Sequence, residues 1–194
     1  IVHIGNIFKL RWNPIPMLYF ITSNRHKYEE IQKITDIRIE QKEVPYPEIQ
    51  ADTLEAVAEF GVEFCYSKVK TPCFVEDSGL FIDALSGFPG VYSNYVHRTL
   101  GCDGIIKLVD ENRTAHFQSV IAYSTGTDVR IFTGTVTGTI SETERGKHGF
   151  GFDPVFIPEG ESRTFAQMTT EEKNLYSHRG KAFRTFVHYL EQVR

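Results

Sequence analysis

Glu76-Asp77-Ser78-Gly79 sets two adjacent carboxylates directly after the apolar run Cys73-Phe74-Val75. Ionised carboxylates at the end of a buried strand are costly unless paired, protonated or bound to a metal. In open α/β sheets, ligands bind beyond the carboxyl ends of strands. Asp77 is therefore expected to emerge at the carboxyl edge of this strand, with Gly79 letting the chain turn away. Alternation along the strand points Glu76 to the opposite face. Glu48, in the Pro-rich turn Tyr46-Pro47-Glu48, offers a second carboxylate. One or two carboxylates with substrate phosphates and waters make an ordinary Mg²⁺ site. The plainer readings are a loop cap for Glu76-Asp77 and a solvated charge for Glu48.

Three further stretches carry polar chemistry. Thr22-Ser23-Asn24-Arg25-His26-Lys27 stands between an apolar strand and a helix. Backbone N–H groups at a helix start attract phosphate, and Arg25 and Lys27 add positive charge. The glycines of a P-loop are missing, and helix capping by Ser23 or Asn24 is the structural alternative. In Gly149-Phe150-Gly151-Phe152-Asp153-Pro154, Phe150 or Phe152 could stack a base. Asp153 could accept from a ring N–H; one Phe belongs to the core on any reading. Lys173, His178, Arg179 and Lys181 cluster before and at the last helix, which Ser177 can cap. Cations at a helix start oppose its dipole, so an anion or a base carbonyl is expected beside them. His97, His116, His148 and His188 fit no metal spacing. No nucleophile-elbow context and no CxxC pair is present.

The elements that must position these groups alternate. Residues 18–22 read as a strand, 25–35 as a helix, 37–44 as a strand and 53–69 as a helix. Asp52 and Glu55 have capping-box spacing at the start of that second helix. A buried strand at 73–75, a turn at 87–90 and short helices to about 110 follow. Residues 115–124 and 129–140 read as a hairpin around Thr125-Gly126-Thr127-Asp128. An apolar strand at 155–157 and a last helix over 178–193 complete the chain. Early alternation followed by clustered strands indicates an α/β domain with a mixed sheet.

The 194 residues, 41% hydrophobic and 13% aromatic, suffice for one domain with an ordinary core, which excludes wholesale disorder. A net charge of −4 argues against a protein that lives on nucleic acid or an anionic membrane. Three cysteines, Cys65, Cys73 and Cys102, make no disulfide framework and fit a reducing cytoplasm. No apolar run approaches the ~20 residues of a membrane span. The first sixteen residues have no clean period, and Met17 precedes the first strand. They read as a leader outside a single domain of residues 17–194, with an extra edge strand as the alternative.

Taken together, the motifs resemble the inosine triphosphate pyrophosphatase family, which removes non-standard purine nucleotides. The matching segments run in the family's order. They are Thr22 to Lys27, Tyr46-Pro47-Glu48-Ile49-Gln50, Val75 to Leu80 and Gly87-Phe88-Pro89-Gly90-Val91-Tyr92-Ser93. Gly149 to Pro154, Phe165-Ala166-Gln167-Met168, Glu172-Lys173-Asn174 and Ser177 to Ala182 follow. The resemblance implies a long twisted mixed β-sheet flanked by helices, two lobes with a central cleft, and a homodimer. It implies hydrolysis of ITP, dITP or XTP between the α and β phosphates with Mg²⁺. Thr22, Ser23, Asn24, Arg25, His26 and Lys27 would hold the triphosphate. Glu48 and Asp77 would serve Mg²⁺, and Asp77 would ready the water. Ser78 would contact substrate, and Phe150 would stack the base with Gly151, Phe152, Asp153, Lys173, His178 and Arg179 around it. One departure stands out: many members carry a Lys where this chain has Phe60 and Gly61, and Lys68 is a candidate replacement. The rival readings are a pyrophosphatase for another modified nucleotide and a non-catalytic nucleotide sensor.

Overall fold

A computed structural model describes residues 17–193. The leader over residues 1–16 thus lies outside the described residues. Strands β1 (Leu18–Ile21), β2 (Ile39–Lys42) and β3 (Cys73–Ile82) alternate with helices α1 (Arg25–Gln32) and α2 (Leu54–Val69). Helices α3 (Ser93–Thr99) and α4 (Gly101–Leu108) lead into the long hairpin β4 (Thr114–Ser124) and β5 (Val129–Ile140). Strand β6 (Phe156–Pro158) and helices α5 (Thr170–Tyr176) and α6 (His178–Gln192) follow. The six strands form one mixed sheet in the order β2-β1-β3-β4-β5-β6. β1 runs parallel to β2 and β3, and the remaining neighbours are antiparallel.

Each face of the sheet is covered for a reason visible in the side chains. Phe183 and Phe186 of α6 pack on Phe20 and Phe74, whose rings stack at 4.6 Å. On the other face, Leu54, Ala58, Val62 and Cys65 of α2 pack on Val75 and Val120. Along β5 the even positions from Phe132 to Ile140 are buried and the odd ones exposed, the period of a half-buried strand. At Gly134 this strand admits the start of α6: a Cβ there would fall 2.2 Å from the carbonyl oxygen of His178. A residue with a side chain at 134 would push away the end of α6 that carries His178 and Arg179.

Several boundaries differ from the sequence reading. The strand expected at 73–75 extends to Ile82, because β4 pairs with its whole length. Glu76-Asp77-Ser78-Gly79 therefore lies within a strand and is not a loop after one. Gly79 does not turn the chain; its missing side chain makes room for the Gly90 carbonyl oxygen, which a Cβ would meet at 2.4 Å. Helix α1 ends at Gln32, and Thr35 Oγ1 accepts from the Ile37 N–H in the following turn. Thr53, not Asp52, caps α2, accepting from the Ala56 N–H at 3.2 Å, while Glu55 binds Gln118 at 2.8 Å. The hairpin turn at 125–128 and the Ser177 cap of α6 are found where expected.

Candidate active site

β1 supplies the reason for a site. It pairs with β3 only through Tyr19–Cys73 and Phe20–Phe74, then ends. Beyond that point, among the described residues, no strand pairs with β3 on this side, and the Lys27 side chain of α1 reaches it there. Lys27 donates to the freed Glu76 carbonyl oxygen at 3.0 Å. Asp77, expected at the carboxyl edge of its own strand, lies instead within β3, on the stretch that runs past the end of β1.

The segment 22–27 is held by local bonds. Thr22 Oγ1 accepts from the Asn24 N–H, and Asn24 Oδ1 caps α1 by accepting from the Lys27 N–H at 3.2 Å. Ser23 is exposed, and Arg25 turns outward to pair with Glu29 at 2.8 Å. Lys27 turns inward: its ammonium lies 2.9 Å from Glu76 Oε2 and 4.0 Å from Asp77 Oδ1. His26 leaves this group and stacks on Phe150, with ring centroids 5.4 Å apart and planes 15° apart.

Alternation splits the β3 acids as anticipated. Glu76 and Ser78 face α6, where Arg179 donates to Ser78 Oγ at 3.0 Å and its Nε lies 3.2 Å from Glu76 Oε1. Asp77 lies on the opposite face, with 31% of its side-chain surface open. Glu76 is fully enclosed. Burial alone would raise its pKa, but Arg179, Lys27 and the Ser119 hydroxyl hold it well below the ordinary carboxylate range. Asp77 behaves oppositely: enclosure raises it, Lys27 offsets this in part, and Glu76 and Glu48 push it further up. Glu48 is exposed in its turn but close enough to be felt there.

Glu30, which sequence reasoning missed, joins the site to the C-terminal segment. One carboxylate oxygen binds Lys173 at 2.7 Å and the other binds Arg179. The Glu30 backbone carbonyl accepts from Asn174 at 3.0 Å. Lys173 also binds Asp153 at 2.6 Å, and Asp153 accepts from the Phe150 N–H at 2.8 Å. Burial would raise Glu30, yet Arg179 and Lys173 hold it below its usual value; Asp153 is raised, first by burial. The anion expected beside the cations of α6 is therefore the protein's own Glu30 and Glu76. A continuous ionic chain runs Asp153–Lys173–Glu30–Arg179–Glu76–Lys27–Asp77.

Phe150 is the half-buried ring at one end of that chain, with Lys173 Nζ 5.0 Å and Arg179 Cζ 5.4 Å from its centroid. Phe152 is the core aromatic, 3% exposed and edge-on to His97. Gly151 lies between them with φ +61°. His178 is buried and stacked on Phe117 at 4.6 Å, and its Nδ1 has no partner among the described residues; burial, then Arg179 and Lys173, keep it well below its usual pKa. Lys68 does not reach the acids: it is exposed in the last turn of α2 with its ammonium over the Phe64 ring. At Gly61 the adjoining space belongs to the Tyr46 ring, which a Cβ would meet at 3.2 Å. Burial, then Asp77 and other acidic neighbours including Glu48, push the Tyr46 phenol up. Two surface hollows of about 380 and 320 Å³, one around Glu142 and Arg145, the other around Glu63 and Asp128, include none of these site residues.

An open mixed sheet flanked by helices, with cations and carboxylates converging where β1 ends, defines an α/β protein. The chain belongs to the Ham1 family, whose pattern matches residues 18–189. It is 56% identical over 180 residues to a dITP/XTP pyrophosphatase of Thermococcus kodakarensis, covering 90% of this chain and 97% of the relative. It is 50% identical over 179 residues to the dITP/XTP pyrophosphatase of Pyrococcus horikoshii, covering 90% and 96%. Among solved structures, a HAM1 protein from Coxiella burnetii superposes with a TM-score of 0.79 at 29% identity, covering 91% of this chain and 98% of that one. The fold expected from the motifs, a mixed sheet flanked by helices, is the fold observed.

Proposed function

We propose that this protein hydrolyses non-standard purine nucleoside triphosphates such as dITP, ITP and XTP to the monophosphate and pyrophosphate. The observation that carries the reading is the ionic chain joining an aromatic base platform at Phe150 to the acid Asp77. Its two ends suit two tasks, choosing a base and cutting a phosphate chain. The names of the archaeal relatives agree with it.

A base stacked on Phe150 would lie beside the buried donors of Lys173 and Arg179, with Asp153 and His178 behind them. A 6-oxo purine offers those donors an acceptor; the 6-amino group of adenosine offers a donor and leaves them unpaired, which discriminates strongly. Ser78 orients Arg179 in this arrangement. The triphosphate would run toward Thr22–Lys27, where the Lys27 ammonium and the α1 N–H groups offset its charge.

The donor set fits Mg²⁺. Asp77 and Glu48 are two hard oxygen ligands whose mutual repulsion a cation would relieve, with phosphate and water completing the shell. Such an ion neutralises phosphate charge and lowers the pKa of water. The chain's own part is proton handling: Asp77 accepts the proton of the attacking water as the α–β anhydride bond breaks and pyrophosphate departs. Glu76 cannot share this role, because Arg179 and Lys27 occupy its oxygens.

We expect residues 17–194 to be the working unit, so deleting 1–16 should leave turnover unchanged. No helix among the described residues is long and apolar enough to cross a membrane. The three cysteines are buried and free, which supports a cytoplasmic setting. Tyr92, Tyr95 and Leu100, exposed around α3, offer apolar surface for a homodimer. The decisive test is a substrate panel: kcat/KM for dITP and XTP should exceed that for dATP and ATP by at least about 10²-fold, and equal values would overturn the reading.

A further inference from the structure

The half-buried Phe150 ring has two buried cations and an exposed imidazole beside it. Lys173 and Arg179, only 2% and 1% exposed, bring their charges to 5.0 and 5.4 Å from the ring centroid. His26, an exposed residue in the first turn of α1, covers it from the solvent side. The two rings are close to parallel, and their 5.4 Å centroid separation falls within the range of offset aromatic stacks. A purine cannot slide between rings at that spacing, since it would need a stacking distance on each side. The imidazole thus holds ring surface that a stacked base would use. Its chain neighbours are engaged elsewhere, Arg25 with Glu29 and Lys27 with Glu76.

We infer that His26 is an internal placeholder for the purine base: it shields the Phe150 platform in the free protein and must swing out before a base can stack. This deepens the proposed function and rests on Phe150 being the base platform. It assigns His26 to base admission, away from the triphosphate role its position in the 22–27 segment suggested. An intramolecular competitor lowers the fraction of protein competent to bind and weakens apparent affinity by that fraction. The competition acts only on ligands that carry a base.

The test is calorimetric binding of inosine 5′-monophosphate and, separately, of inorganic triphosphate. His26→Ala should bind the monophosphate about 2- to 10-fold more tightly, the scale of one aromatic pair. Inorganic triphosphate should bind the variant and the parent alike. His26→Phe, which restores a ring to the stack, should return monophosphate affinity to the parent value or below. Unchanged or weaker monophosphate binding by folded His26→Ala would overturn the placeholder role, as would an equal change for inorganic triphosphate. Phe150→Ala separates the two levels: if it leaves monophosphate affinity intact, the base platform itself is wrong, and the placeholder falls with it.

Discussion

Glu30 on α1 and Arg179 on α6 stand 149 positions apart in sequence and share a buried ion pair. The same glutamate binds Lys173, so one carboxylate holds both cations that lie over Phe150. It sits three residues after Lys27 on the same helix, so α1 contributes to both halves of the ionic chain. Glu30→Gln keeps the shape but removes the charge. Breaking a buried pair by removing one partner typically costs ~3–5 kcal/mol. We expect a loss of that order in denaturant unfolding, together with a reduced dITP-to-dATP ratio in kcat/KM. A stability change under about 1 kcal/mol would show that the network is not a structural tie.

Stability should also fall on acidification, and the sign follows from the acids. Glu30 and Glu76 are held below their ordinary value of 4.5, so the folded state gives up these protons more readily than the unfolded chain. Their stabilisation is complete above that value and is lost as pH falls through the lower folded values. Asp77 and Asp153 are raised and act in the opposite sense, favouring the folded state as they take up protons. Unfolding free energy measured from pH 6 to pH 3 should decline below about pH 4.5, and Glu30→Gln should flatten the decline. A parent protein whose stability is level over that range would contradict the ion pairs.

Asp77 is raised above its ordinary value of 3.8, chiefly by enclosure, and Lys27 opposes the rise. In the Mg²⁺-free protein the Asp77 carboxyl should therefore titrate above 3.8, and further up in Lys27→Met, as read by carboxyl-carbon NMR. Asp77→Asn should lower turnover by at least ~10²-fold, the scale of general-base catalysis. Added Mg²⁺ should restore a ligand defect in part but not a base defect. Turnover near the parent's in Asp77→Asn would move the base to Glu48.

The sequence made the sheet class, the hairpin, the Ser177 cap and the main polar segments readable, because each depends on neighbours within a few residues. Phe150 against Phe152 was left open, since alternating Gly and Phe carry no burial signal; packing against His97 puts Phe152 in the core. The extension of β3 through four polar residues was hidden because β4, some forty residues later, supplies the pairing. Glu30 gave no local sign either. On an amphipathic helix a Glu beside Ile31 reads as solvated, and only partners 143 and 149 residues away make it a buried hub. His26 and Phe150 were both singled out, but their contact depends on where α1 is set against the loop after β5.

The most direct measurement is product analysis of a single reaction: inosine triphosphate and Mg²⁺ with the parent protein, resolved by phosphorus NMR. We expect inosine 5′-monophosphate and pyrophosphate in equal amounts, with Asp77→Asn yielding almost none under the same conditions. Formation of inosine diphosphate with orthophosphate, or no turnover by the parent protein, would contradict cleavage between the α and β phosphates at this site.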